Sequence, residues 1–222
     1  MSISIGEYLL TGLSEMRVHH MFGVPGDFNL WFLEQTVRNS SINFVGCCNE
    51  LNAAYAADGC SRLAGISALA TTYGVGELAS LSGVAGAYAE RVPIVCIPGA
   101  PPLPSIQQRA LLHHTLSDGN YENMLNCYRE FTVAQARIEP ANARQEIDRS
   151  FGHAGSKNVQ CIFSFPPMWQ VSELNRLPDP WISLPHLATQ DNSLAPFQGY
   201  SSVYRKQELL HSFSMRIRNG LA

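Results

Sequence analysis

Lysine is almost missing from this chain: Lys157 and Lys206 are the only two among 222 residues. With 15 basic against 18 acidic side chains and a net charge of −3, there is no basic field of the kind that holds nucleic acid or an anionic membrane. Long apolar runs are lacking too. Gly, Ser or a charge interrupts every hydrophobic stretch well short of the roughly 18 residues a bilayer span needs, and the first ten residues have no basic start of a signal peptide. These absences predict a soluble, cytoplasmic chain with neither nucleic acid nor membrane as partner. The six cysteines (Cys47, Cys48, Cys60, Cys96, Cys127 and Cys161) form no CxxC and no Cys/His spacing suited to zinc, so they read as reduced core thiols and no metal ligands are assigned. Charge is scarce as well, at 15% against 45% hydrophobic residues, a balance that excludes disorder for most of the chain.

What is present divides in two. Up to Glu139 there are 12 acidic and 7 basic residues; from Pro140 onward there are 6 and 8, so the sign of the charge reverses. Pro166, Pro167, Pro178, Pro180, Pro185 and Pro196 crowd a stretch that neither a helix nor a central strand tolerates. We therefore expect a domain over 1–166, a linker over 167–198 and a tail over 199–222.

Within 1–166, helical and apolar segments alternate, which predicts an α/β three-layer sandwich with a mostly parallel sheet and helices on both faces. Helices are expected at 4–19, 29–38, 49–63, 76–91 and 141–153. Six strands are expected at 21–24, 42–46, 66–72, 93–98, 131–138 and 159–165. In such sheets ligands bind beyond the carboxyl ends of the strands. The first three of those ends run into Gly26-Asp27, Asn49-Glu50 and Tyr73-Gly74-Val75-Gly76, and Leu112-His113-His114-Thr115 follows the fourth strand. An acid, a carboxylate at a helix start and a histidine pair are thus expected to share one cleft.

Taken singly, each has an ordinary explanation. Glu50 after Asn49 suits the first turn of a capped helix. Asp27 suits a Pro-Gly-Asp turn. His113-His114 is a doublet with no third ligand at metal spacing, and His19-His20 is another doublet with no evident chemistry. Gly74-Val75-Gly76 fails as a dinucleotide loop because Ala79 stands where the third glycine belongs and Glu77 would repel phosphate. Gly83 and Gly86 read as close-packing positions on their helix.

The segments GVPGDFNL (23–30), NELNAAYAADGCSR (49–62), TTYGVGEL (71–78), GAYAERVPIV (86–95) and LLHHTLSDG (111–119) together resemble the amino-terminal pyrimidine-binding domain of thiamin-diphosphate-dependent 2-oxo acid decarboxylases. The likeness runs over about residues 3–140 and is greatest to pyruvate decarboxylases. It implies a carboxy-lyase that releases carbon dioxide from a 2-oxo acid, taken here as pyruvate. In that family a helix-borne glutamate bonds the cofactor's pyrimidine ring and promotes its activation, a role that falls to Glu50. Asp27, His113 and His114 match residues on the substrate side of the site, where protons must move near neutral pH. Thr72 and Val75 match residues that touch the pyrimidine ring or substrate.

The resemblance also implies what the chain needs from elsewhere. The family holds the diphosphate and its Mg2+ on another domain, through a Gly-Asp-Gly segment that Ser117-Asp118-Gly119 imitates poorly, and Ser117 stands where Gly is usual. Each site is shared between subunits. The expected partner is therefore another decarboxylase subunit or a diphosphate-binding domain, with this chain supplying half a site and inactive alone. The alternative is a non-catalytic relative that pairs with a full-length decarboxylase as a regulatory subunit. A half-chain of a related carboligating synthase is disfavoured by the His doublet.

Overall fold

The strands expected from the sequence all form, and the order in which they pair decides where a site can lie. The structure, a computed structural model, describes residues 3–39, 41–157 and 161–164; the stretch 167–198 and the tail 199–222 lie outside the described residues. The elements run α1 (Ile5–Glu15), β1 (His20–Gly23), α2 (Leu30–Arg38), β2 (Asn43–Gly46), α3 (Glu50–Ala64), β3 (Ser67–Thr71), α4 (Val75–Ala89), β4 (Ile94–Pro98), α5 (Leu103–Gln107), α6 (Asn123–Tyr128), β5 (Ala134–Arg137), α7 (Ala143–Lys157) and β6 (Cys161–Ser164).

One six-stranded sheet has the order β2-β1-β3-β4-β6-β5, and each strand pairing in it is parallel. Every residue of β3 and β4 is buried, as befits central strands covered on both faces. Helix α3 packs along α4, while α1 packs on α2 and α7. Right-handed crossovers put these two groups on opposite faces, completing the three-layer α/β sandwich.

The α3–α4 contact shows why small residues occupy it. Ala53, Ala54 and Ala57 of α3 are fully buried beside Val84 and Ala87 of α4, over Leu69, Ile94 and Cys96 of the sheet. A Cβ at Gly83 would stand 2.6 Å from that of Ala54, so the expected packing role holds there. At Gly86 it does not, because a Cβ there would meet nothing within 4 Å.

Other departures have local causes. Helix α1 begins at a capping box in which Glu7 N–H donates to Ser4 Oγ and Ser4 N–H donates to Glu7 Oε2. It stops at Glu15 rather than near residue 19, because Arg17 turns the chain with φ +64° and Val18 N–H bonds Leu13 O. Helix α7 runs from Ala143 to Lys157, a few residues beyond its expected span. Helices α5 and α6 were not expected, since one or two turns carry too little periodicity to read. A 3-10 turn over Arg129–Phe131 delays β5 to Ala134. Among the described residues, five cysteines are free, but they are not all core residues: Cys96 is buried, Cys47 and Cys60 are half-buried, and Cys48 and Cys127 are exposed.

Candidate active site

Strand β1 lies between β2 and β3, so the chain leaves β1 to one side and returns to the other. Ligands enter open α/β sheets at such a reversal, outside the carboxyl ends of the strands. The segments that follow β1, β2 and β3 carry Asp27, Glu50 and Thr72 respectively. The fold therefore supplies the convergence expected from the sequence.

After β1 the chain makes a turn braced by Asn29, which is 1% exposed. Gly26 N–H donates to Asn29 Oδ1 at 2.8 Å, and Asn29 Nδ2 donates to Val24 O at 3.0 Å. The turn projects Asp27, whose Oδ1 accepts the Phe28 N–H at 3.0 Å. The other carboxylate oxygen, Oδ2, lies 2.6 Å from His113 Nε2, a residue 86 positions away. Both side chains are half open to solvent, so their pairing contributes little to stability. Phe28 lies buried beneath: its ring stacks on that of His113 at 5.1 Å and 19° and meets that of His114 edge-on at 6.1 Å and 80°.

The His doublet reaches this position on a loop tied back by tyrosines. Tyr121 OH donates to Ala110 O at 2.5 Å, and Tyr73 OH donates to Tyr121 O at 3.2 Å. His114 adopts φ +63°, an uncommon conformation for a residue with a side chain. That backbone sets the two imidazoles 4.7 Å apart at 82°. His114 Nδ1 is buried with no hydrogen-bond partner. Asp27, delivered by another strand, lies beside the doublet, with one potential donor atom from each of the three residues within 4.8 Å of the others. Sequence spacing could not reveal a partner delivered by another strand.

After β3 comes Thr72, buried, with Oγ1 unpartnered, and then the Tyr73–Gly76 turn into α4. This turn has two glycine requirements. Gly74 has φ +68°, and a Cβ there would fall 1.7 Å from His114 O, so the His loop crosses directly over it. Gly76 faces the other way: its Cβ would lie 2.8 Å from Glu50 Oε1 and 2.9 Å from Thr72 Cγ2. Thr72 thus sits between the Asp27 turn, which it touches at Gly26, and the Glu50 carboxylate. Glu50 opens α3, where the Asn49 side chain caps the helix by accepting from Asn52 N–H at 2.9 Å, as the sequence suggested. Val75 is exposed at the mouth. Among the described residues no hydrogen bond or ring contact joins Glu50 to the His doublet; the 72–76 turn separates them.

Glu77 is the residue that the sequence left unexplained. It is 2% exposed, and its Oε2 accepts the Gly74 N–H at 2.8 Å. Burial pushes its carboxyl up to about 8. Its carbonyl oxygen is fixed in turn by Ser80 Oγ at 2.9 Å and Tyr128 OH at 2.8 Å. The available signal was its place three residues after Gly74, the position from which an acidic side chain reaches back to a helix start. Phe28 and Asn29 were likewise legible only as turn and helix residues.

Residues 3–121 match the family described as thiamine pyrophosphate enzyme, N-terminal TPP binding domain. The chain is 53% identical over 146 residues, 66% of its length, to the alpha-keto-acid decarboxylase of Mycobacterium avium (strain 104). It is 52% identical over 146 residues to that of Mycobacterium tuberculosis (strain ATCC 25618 / H37Rv) and 51% identical over 146 residues to that of Mycobacterium ulcerans (strain Agy99). It spans 26% of the length of each of these relatives. Glu50, Thr72, Val75, Asp27, His113 and His114 all fall inside the matched segment, and the chain belongs to the thiamine pyrophosphate enzyme family as an N-terminal, TPP-binding domain of the 2-oxo acid decarboxylase kind.

Proposed function

We propose that this chain supplies the pyrimidine-side half of a thiamin-diphosphate-dependent decarboxylase that converts pyruvate to acetaldehyde and carbon dioxide in the cytoplasm. The observation that carries the reading is the Glu50 carboxylate lying against the bare face of Gly76, beside Thr72. A flat heterocycle needs a slot without a Cβ and a carboxyl group facing a ring nitrogen, and these residues fit that need. When bound, thiamin diphosphate supplies a carbon nucleophile that adds to the 2-oxo carbon and takes up the electron pair left by carbon dioxide.

Glu50 holds a proton at the pyrimidine nitrogen, with Thr72 and the exposed Val75 lining the ring's slot. Asp27 and His113 form the proton-handling pair on the substrate side: with the carboxylate ionised, Nε2 carries the hydrogen and the imidazole orientation is fixed. Phe28 backs both imidazoles and keeps water from that side. His114, with a buried nitrogen free of partners, completes the substrate wall. The diphosphate and its Mg2+ are assigned to a domain on a partner subunit, so the chain is inactive by itself and works in an oligomer.

Tyr55 and Leu63 on α3, with Val75 and Leu78 on α4, are exposed apolar residues that such a partner would cover. The same surface favours a second reading, a non-catalytic subunit that pairs with a full-length decarboxylase. Mixing the chain with a separately produced diphosphate-binding domain, thiamin diphosphate and Mg2+, while recording carbon dioxide release from pyruvate, separates the two. Turnover only in the mixture supports the half-site; complex formation without turnover in any mixture supports the regulatory subunit and overturns the catalytic reading.

A further inference from the structure

We propose that Asp27, His113 and His114 together bind one borderline-soft divalent metal ion, such as Zn2+ or Co2+, at the mouth of the cleft. Two imidazoles and one carboxylate are the protein donor set of tetrahedral zinc sites that keep their fourth position for water or substrate. One ligand atom from each residue lies within 4.8 Å of the other two. A bound zinc ion would bring such atoms to about 3.4 Å from one another, given metal–ligand distances near 2.1 Å in tetrahedral array. Asp27 Oδ2 and His113 Nε2, now 2.6 Å apart, would open slightly, and the His114 ligand atom would move inward.

The setting permits that adjustment. The Asp27 and His113 side chains are 50% and 59% exposed, so an ion can enter and keep its waters. The Phe28 ring supports both imidazoles from below. His114 Nδ1 is a buried nitrogen with no partner, an unmet demand of the kind that ligand binding relieves. Mg2+ does not compete, because it prefers oxygen ligands in octahedral array.

Among the described residues, Cys47–Cys48 and His19–His20 are the other adjacent donor pairs. Cys47 and Cys48 are adjacent, but burial raises the Cys47 thiol above its ordinary value and away from the thiolate a metal requires. His19-His20 offers two imidazoles without a third donor of the kind Asp27 provides. The binding stands on Asp27, His113 and His114 alone. Its consequence, that the ion blocks turnover, rests on the functional reading above, since those groups move protons there.

The test is titration of the chain with CoCl2 in the presence of excess MgCl2, followed by calorimetry and visible absorption. The expected result is one Co2+ per chain with a spectrum of nitrogen and oxygen ligands, affinity reduced by about tenfold or more in Asp27→Asn and in His114→Gln, and no change in His19→Ala. A sulfur-to-cobalt charge-transfer band, or affinity unchanged in both site variants, would overturn the proposal, as would absence of binding. None of these readouts involves decarboxylation, so a failed functional reading leaves the metal result standing and the reverse holds equally.

Discussion

The Glu77 carboxylate, sealed from solvent, holds the N–H of Gly74 at 2.8 Å. Through that one bond a buried acid fixes the turn that touches both halves of the site, since Gly74 lies under the His114 carbonyl and Gly76 lies against Glu50. Replacing Glu77 by Leu leaves a buried N–H without an acceptor and is expected to cost about 1–3 kcal/mol in unfolding free energy, while Glu77→Gln, whose amide oxygen can accept the same bond, costs less. Thermal or urea unfolding measures the difference.

The same acid makes stability depend on pH. Its folded value, about 8, is raised above the ordinary 4.5, so the folded state binds the proton more tightly than the unfolded chain. The stabilisation is complete below about pH 4.5 and is lost progressively as pH rises toward 8. The expected outcome is a stability difference between wild type and Glu77→Gln that moves in favour of the variant by a few kcal/mol (order of magnitude) across that window. A difference that stays flat would mean that Glu77 is already ionised throughout.

Much of this was legible in the sequence for definite reasons. Strands β3 and β4 are short apolar runs bounded by turn residues, and α3 announces itself through Asn49 and its alanines. The convergence of Asp27, Glu50 and Thr72 follows from parallel strands, whose carboxyl ends must share an edge. Hidden were relations that cross long sequence separations: Asp27 reaching His113, His114 passing over Gly74, and Gly76 making room for Glu50. Glu77 was weighed only as a charge beside a possible phosphate loop, which does not reveal that its side chain reaches back into its own turn. Gly86 and the exposed Cys48 and Cys127 were misassigned because composition alone does not say which face of an element is covered.

Gly76→Ala separates function from folding. The new Cβ would meet Glu50 Oε1 and Thr72 Cγ2, and the carboxylate, at the end of a flexible side chain, moves aside. Ala in a helix is favoured over Gly by up to about 1 kcal/mol, which offsets part of the overpacking against the buried Thr72 methyl, so unfolding measurements are expected to show a folded protein that loses no more than about 2 kcal/mol. Turnover in the complemented enzyme is expected to fall at least about tenfold, as displacement of a catalytic group does.

Asp27→Asn behaves in the same divided way. The Asp27–His113 pair is half exposed, so its loss is expected to change stability by less than about 1 kcal/mol. Turnover is expected to drop by about 100-fold or more, the usual contribution of a positioned acid or base. Parallel unfolding and carbon dioxide assays on the one variant check both statements.

Ser117 adopts φ +55°, a left-handed conformation that costs a residue with a side chain about 1–2 kcal/mol. Ser117→Gly is therefore expected to stabilise the chain by about 1 kcal/mol, after allowance for the greater freedom of glycine when unfolded. A rise in melting temperature is the readout, and a fall would show that the Ser117 side chain compensates for its backbone.

The most direct test of the half-site is Glu50→Gln, assayed for carbon dioxide release from pyruvate with a diphosphate-binding partner, thiamin diphosphate and Mg2+, beside wild type and His19→Ala. Gln keeps the shape and the helix start but cannot hold the proton at the pyrimidine nitrogen. Glu50→Gln is expected to lose at least about 100-fold of the turnover while His19→Ala retains it. Turnover in Glu50→Gln equal to wild type would contradict the assignment of this edge of the sheet to the cofactor's pyrimidine ring.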